Sequence, residues 1–196
     1  MAEVEVPNPD ELHERGAQTF SRRVALTTAI YAIVLSIAAL GGNNAVKEML
    51  LAQQQSSDQW AFYQAKVIRE HQYRGQKMLL EANLAEPSTL KGAERAKFEA
   101  LVAKFGEEEK RYNAEKKDIE KDAKKLEHAR DLFRERHPYF EFGEVLLQIA
   151  IVSASVSILS TSRPMFWFSL ALAVLGAVLT VNGYSQLFTL PFLHHH

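Results

Sequence analysis

The chain of 196 residues contains no cysteine, so disulfides, thiolate metal sites and a cysteine nucleophile are excluded. The absence leaves the redox state of the compartment open, because a chain without cysteine suits either state. Net charge is also almost absent, at -1, and the isoelectric point is near 6.7. Since no broad basic surface can form, we expect no binding of nucleic acid.

Charged residues are missing from three long stretches, residues 24–46, 145–162 and 164–193, and Arg163 is the only formally charged residue after Glu144. About 20 apolar residues in a helix cross the hydrocarbon core of a bilayer. The sequence therefore predicts an all-α membrane protein whose main partner is the lipid bilayer. The predicted transmembrane helices are 24–46, 138–162 with an interfacial start, and 166–186, with a short turn at 163–165.

The predicted termini are a tail of residues 1–23, with at most one helical turn near residues 11–15, and a tail of residues 187–196. The first apolar run is longer than the core of a cleaved signal peptide and follows a long leader that contains acidic residues. We therefore expect an uncleaved membrane anchor.

Residues 47–137 are rich in helix formers and are interrupted near residues 85–92, where Pro87 disfavours helix at Glu86 and Gly92 loosens the turn. This pattern predicts a long antiparallel helical hairpin, a coiled coil between the first two spans. Two rows of residues at alternating steps of four and three form its predicted seam. They are Trp60, Gln64, Val67, His71, Arg74 and Met78 in the first arm, and Phe105, Glu109, Tyr112, Lys116, Ile119, Ala123, Leu126, Arg130 and Phe133 in the second. Pro138 either starts a new helix or bends a continuous one.

Small residues form one stripe in each predicted span, and such stripes let helix backbones approach closely in lipid. The stripes are Ala25, Ala29, Ala32, Ser36 and Ala39; Ala150, Ser153, Ser157 and Ser160; and Ser169, Ala173, Gly176, Thr180 and Gly183. Packing within one chain and contact between subunits explain them equally well. Ala32, Ser36, Ser153, Ser157, Ala173 and Gly176 are accordingly candidate interface residues.

Uncharged polar residues also occur near one end of each span. Asn43, Asn44, Gln148 and Asn182 form a candidate intramembrane polar cluster. Buried amides in membranes commonly hold helices together, and an ion or solute site is the alternative.

The first arm of the hairpin contains a dense group of aromatic and polar residues, Trp60, Tyr63, Gln64 and Lys66. Aromatic residues are typical anchors of helix seams and protein interfaces. We interpret these four residues as a candidate recognition surface, either between subunits or toward another partner.

Two stretches resemble a family of bacterial membrane proteins known as domain of unknown function four-three-three-seven. They are the glycine- and asparagine-containing run 41–45 and the run 57–66, which includes Trp60, Phe62 and Tyr63. The second arm from Tyr112 to Leu126 and the Asn182-Gly183 pair are similar as well. The resemblance implies three spans and a helical hairpin, and it supplies no activity, cofactor or site.

Cationic residues near short loops set the orientation of a membrane protein. Here they are Arg15, Arg22, Arg23 and Arg163. They predict a multi-pass protein with a cytoplasmic N-terminus and the hairpin on the outside. The resemblance to a bacterial family implies that the membrane is the bacterial inner membrane and that the hairpin is periplasmic. The arginines at 130, 134 and 136 favour the opposite side, but long segments translocate largely regardless of charge.

No pattern of nucleophile and base, paired inward carboxylates or phosphate loop is present, so we expect no enzymatic activity and no cofactor or metal. The sequence favours an oligomeric scaffold or interaction protein that uses its coiled-coil hairpin and forms a homo-oligomer. One alternative is a subunit of a homo-oligomeric pore. The other is an accessory subunit of a heterologous membrane complex.

Overall fold

The fold is seen in a computed structural model, which describes residues 9–86 and 92–190, with side chains from residue 16 onward. The described residues form three helices: α1 is Pro9–Ala85, α2 is Ala93–Ser160 and α3 is Arg163–Ser185. Each helix contains an 18-residue window whose mean hydropathy, between 1.9 and 2.1, is high enough for a membrane span. The predicted all-helical architecture with three helices long and apolar enough to cross a membrane is confirmed.

The helices are more continuous than the sequence suggested. Because α1 begins at Pro9, the described part of the N-terminal tail is helical and runs directly into the first apolar stretch. Pro138 lies inside α2, which continues through it, so no new helix starts at this proline. The hairpin tip at residues 87–91 and the last residues, 191–196, lie outside the described part of the chain.

The turn between α2 and α3 is tight and centres on Thr161 and Ser162. Thr161 has a positive φ of 50°, and the Ser162 N–H donates to the Ser157 carbonyl at 3.2 Å. The Ser157 hydroxyl donates to the Ser162 carbonyl, also at 3.2 Å. Pro164 follows in the first turn of α3, where its missing N–H costs no hydrogen bond. α3 therefore begins at Arg163, within the stretch predicted as the turn.

The chain divides into two compact units. Unit 1 comprises residues up to 48 and from 132 onward, so it contains the three apolar helical stretches. Its core is made mostly of small side chains, which let the helices lie close together. The buried core residues are Val24, Tyr31, Ala38, Leu147, Ala150, Ala154 and Ala173.

Glycines allow close packing between helices of unit 1 at two places. A Cβ added at Gly176 of α3 would lie 2.9 Å from the Gly143 carbonyl oxygen of α2. A Cβ at Gly41 of α1 would lie 2.5 Å from the Phe140 ring, and one at Gly183 would lie 2.8 Å from the same ring. Phe140 therefore fills a space that exists only because residues 41 and 183 have no side chain.

Unit 2 comprises residues 49–131 and is an antiparallel hairpin of α1 and α2. Its side-chain hydrogen bonds show the direction, since partner numbers rise in one arm as they fall in the other. They join Gln53 to Arg130, Trp60 to Glu127, Lys66 to Glu115 and Arg74 to Glu109.

The predicted seam is right for the second arm, but in the first arm only Trp60 and Val67 of its six residues are half-buried. All nine predicted residues from Phe105 to Phe133 are buried or half-buried. In the first arm, Gln64, His71, Arg74 and Met78 are exposed instead. The inward row lies one residue earlier, again at steps of four and three, and consists of Ala52, Ser56, Gln59, Tyr63, Lys66, Glu70, Tyr73, Lys77, Leu80 and Leu84.

Candidate functional site

A carboxylate lies at the centre of the hairpin. Glu70 of α1 is 1% exposed, and three side chains neutralise or solvate it. Arg74 donates to one carboxylate oxygen at 2.9 Å and Asn113 donates to the same oxygen at 3.0 Å, while Lys116 donates to the other. A buried charge is tolerated only when its oxygens are paired and hydrogen-bonded, which is the case here.

Further ion pairs lie on either side of Glu70 along the hairpin. The Glu109 carboxylate accepts hydrogen bonds from Arg74 at 2.7 Å and from Lys77 at 3.3 Å. In the other direction, Lys66 donates to Glu115 at 2.5 Å. We call this set, Lys66, Glu70, Arg74, Lys77, Glu109, Asn113, Glu115 and Lys116, the ionic seam. It joins the two arms where a coiled coil ordinarily has apolar side chains.

Aromatic rings lie beside the ionic seam. Tyr112 is buried and stacks on Tyr73, with ring centroids 5.6 Å apart and planes 15° apart. Arg111 lies over the Tyr112 ring at 4.9 Å and Lys66 at 5.2 Å. Cations over an aromatic face are attracted by the ring's electron density, so Tyr112 helps to hold Arg111 and Lys66 in position.

The pKa values of the acids reflect these contacts. Burial alone would raise the pKa of Glu70, but hydrogen bonds from Lys116 and Asn113 and the charges of Lys116 and Arg74 lower it overall. The hydrogen bond from Arg74 holds the pKa of Glu109 below its ordinary value, and the hydrogen bond from Lys66 does the same for the pKa of Glu115. All three groups are thus more acidic in the folded hairpin than in an unfolded chain.

This difference predicts that the hairpin loses stability in acid. A carboxyl whose pKa is lowered by folding stabilises the fold fully above its unfolded pKa, about 4.5, and loses that contribution as the pH falls through the folded pKa. We expect the temperature at the midpoint of thermal unfolding to be insensitive to these groups near pH 7. When the pH is lowered below about 4.5, that temperature should fall. Trp60 fluorescence in a Trp167→Phe variant reports on the hairpin alone, because the chain has only two tryptophans. An unchanged midpoint at about pH 3 would contradict the assignment of these ion pairs.

The four residues of the predicted recognition surface do not share one outward face. Trp60 donates from its ring nitrogen to Glu127 at 2.9 Å and packs edge-on against Tyr63, with centroids 5.4 Å apart. Tyr63 and Lys66 belong to the inward row, and Gln64 is exposed. Three of the four therefore contribute to contacts within the hairpin, and a role in recognition stays a prediction.

The small-residue stripes have different positions in the three spans. Ser153, Ser157, Ala173 and Gly176 are buried inside the chain, so intramolecular packing accounts for them. In α1 the stripe faces outward, because Ala32 and Ser36 are exposed and the buried residues are Val24, Tyr31, Ala38 and Ala45. Contact with another subunit stays a prediction for the α1 stripe.

The predicted polar cluster does not assemble within one chain. Asn43, Asn44 and Gln148 are exposed, and Gln148 donates to Glu144 one turn away at 3.2 Å. Asn182 is buried and binds the segment after α3: its amide nitrogen donates to the Phe188 carbonyl at 2.8 Å, and its oxygen accepts from the Phe188 N–H at 3.1 Å. Asn182 thus fixes the chain that follows α3.

The outward faces of the two hairpin arms differ in character. On the first arm, large apolar side chains are well exposed: Phe62, Ile68, Met78 and Leu79. The row opposite the seam on the second arm is equally exposed but carries Glu107, Lys110, Lys117, Lys121 and Lys124. The second arm thus has the surface expected of a solvated helix, and the first arm does not.

Within the described residues, no three His, Asp or Glu side chains are grouped as a metal site would require. Sequence reasoning missed Glu70 and Asn113, because a search for apolar residues at heptad spacing passes over a charged inward row. For Glu70, the signal that could have found it is the unbroken heptad that extends from Val24 through Tyr31 and Ala38 to Ala52 and reaches Glu70 in the same register.

These features define an all-helical protein with three helices that are long and apolar enough to cross a membrane. The first two of these helices also form an antiparallel hairpin. Residues 20–186 match the model of a family described as a domain of unknown function, DUF4337, and the chain belongs to that family. No curated protein and no solved structure matches the chain.

Proposed function

We propose that this protein is a non-enzymatic scaffold of the bacterial inner membrane that works as a homo-oligomer and makes its protein contacts through the hairpin. The observation that supports this proposal is the exposed apolar face of the first arm, which includes Phe62, Ile68 and Leu79. Lipid can cover such side chains in the apolar stretches of unit 1. In unit 2 the charged second arm argues for an aqueous surrounding, where exposed apolar side chains at regular spacing favour contact with protein.

The proposed orientation places the N-terminus in the cytoplasm and the hairpin in the periplasm. Arg22 and Arg23 at the end of the N-terminal leader and Arg163 in the short turn between the last two apolar stretches support it, because cationic residues at such positions favour the cytoplasmic side. Lys117 is exposed on the second arm and the chain has no cysteine, so Lys117→Cys provides a single label site. Labelling by a membrane-impermeant maleimide from outside intact spheroplasts supports this orientation, and labelling only after lysis contradicts it.

A pore subunit is the second candidate, and one observation favours it. Asn43, Asn44 and Gln148 are exposed polar residues in or beside the apolar helical stretches. A closed ring of copies could turn such residues toward a shared aqueous channel. Ion flux through the purified protein in liposomes would favour the pore over the scaffold.

The experiment that tests the scaffold is the native mass of the full-length protein in lipid nanodiscs or a mild detergent. We expect a single closed homo-oligomer, since the exposed face of the first arm needs a partner. A stable monomer would overturn both the scaffold and the pore. A complex retained with a different protein would instead identify an accessory subunit of a heterologous membrane complex.

A further inference from the structure

The exposed face of the first arm has the spacing of a second coiled-coil surface. Seven residues follow alternating steps of four and three, as the core positions of a heptad do. They are Ala61, Ala65, Ile68, Gln72, Gly75, Leu79 and Ala82, and we call them the outer face. None is charged, and all seven are exposed.

The outer face is not used by the hairpin itself. Ile68 lies two residues from both Lys66 and Glu70 of the inward row, which places it about 160–200° away around the helix. Ile68 and Leu79 are each 67% exposed. A Cβ added at Gly75, inside α1, would meet nothing within 4 Å. The second arm therefore leaves this side of α1 open along its length.

Two copies in one membrane have the same orientation, so their α1 helices must run parallel. In a parallel pair in register, each residue of the outer face meets its own counterpart. Such self-pairing brings like charges together wherever the face is charged. The outer face carries no charge. If the exposed row of the second arm paired instead, Lys117, Lys121 and Lys124 would each face the same lysine of the other copy.

The residues that flank the outer face are also compatible with self-pairing. They are Phe62, Gln64, Arg69, His71, Gln76, Met78 and Asn83. Arg69 is the only one with a formal charge, and its guanidinium lies 6.0 Å from the centroid of the Tyr112 ring in its own hairpin. Because alanine has a small side chain and Gly75 has none, two helices can approach closely along the outer face.

We propose that the outer face pairs two copies of this chain as a parallel, in-register coiled coil about a two-fold axis along the membrane normal. This inference rests on the proposed homo-oligomer and names the surface that forms it. It places the charged second arms on the outside of the pair, in contact with water.

Disulfide trapping in membranes that contain the full-length protein tests the pairing, because a chain without cysteine gives clean single-cysteine variants. Under mild oxidation, Ile68→Cys and Leu79→Cys should each convert mostly to disulfide dimers, since equivalent core positions of a parallel pair lie within disulfide reach. Lys117→Cys, exposed on the second arm, is the matched control and should stay near background. A mixture of differently tagged Ile68→Cys and Leu79→Cys chains should give no mixed dimer, because 11 residues of helix separate the two positions by about 16 Å.

Native mass separates failure of this surface from failure of the oligomer. If the unmodified protein is oligomeric but Lys117→Cys couples as well as Ile68→Cys, the outer face is wrong and the scaffold stands. Mixed dimers would overturn the register. If the unmodified protein is a monomer and no variant couples above background, both proposals fail.

Ile68→Glu should halve the native mass of a dimer, while Leu101→Glu, at an exposed apolar position of α2, should leave it unchanged.

Discussion

Replacing Glu70 with glutamine lowers the free energy of unfolding of the hairpin by about 3 kcal/mol, the low end of the range for breaking a buried ion pair. The substitution leaves Lys116 without its buried counter-charge, and the Lys116 side chain is only 18% exposed. The effect falls at the low end because Arg74, the other cation, is 46% exposed and keeps Glu109 as a partner. Denaturant unfolding followed by Trp60 fluorescence in the Trp167→Phe background measures the loss.

Two further variants show whether the loss comes from the unpaired charge. Glu120→Gln removes a carboxylate whose hydrogen-bonded partner is the exposed Lys124, one turn away on the same helix, so it should cost far less. Glu70→Met combined with Lys116→Met removes both charges, and apolar side chains of similar size should restore most of the lost stability. Equal losses in Glu70→Gln and Glu120→Gln would mean that the ionic seam does not hold the arms together.

The ionic seam also explains why the sequence predicted one arm of the hairpin and not the other. In the second arm, Phe105, Tyr112, Ile119 and Ala123 are apolar at seam spacing, and apolar periodicity identifies the inward face. In the first arm the apolar Val67 and Met78 suggested a row shifted by one residue. The true row contains Lys66, Glu70 and Lys77, whose charges are neutralised from the other helix. Pairing across two helices is not visible in the periodicity of one.

The spans were predicted from length and hydropathy, but their inward faces could not be. In lipid, the outside of a helix is as apolar as its inside, so hydrophobicity does not distinguish the two. In α1 the large residues Leu26, Ile30 and Ile33 are exposed, while the inward row includes Ala38 and Ala45. In α3 the stripe of small residues, which fits packing within the chain and subunit contact equally well, lies on the inward face, and Ser169, Ala173, Gly176, Thr180 and Gly183 are all buried.

Similar depth in the membrane likewise did not bring the amides together. Asn43 and Gln148 are exposed, whereas Asn182 is buried. Distance along a helix axis is readable from residue numbers, but the direction around the axis depends on which neighbour each helix contacts. For Asn182 the partner is the backbone of Phe188, six residues further along the same chain. The prediction compared amides in the three spans only, so it did not include the segment after α3 that contains Phe188.

Replacing Gly176 with leucine separates α2 from α3 and lowers the stability of unit 1 by about 3 kcal/mol, the upper part of the range for overpacking. A Cβ there would lie 2.9 Å from the Gly143 carbonyl oxygen and 2.9 Å from the Leu147 side chain. The backbone oxygen cannot rotate away as a flexible side chain can, so the helices themselves must move apart. The loss should appear as easier denaturation reported by Trp167 fluorescence in a Trp60→Phe variant.

Ala171→Leu is the matched control, because residue 171 is exposed on the same helix and accepts the same new side chain without meeting α2. It should leave stability nearly unchanged, since lipid accommodates an added leucine as readily as the one it already faces at position 175. The contrast depends only on which side of α3 receives the leucine. If both variants unfold alike, contact between Gly143 and Gly176 is not what joins the two helices. The core formed by Leu147, Ala150 and Ala173 would then have to account for their association.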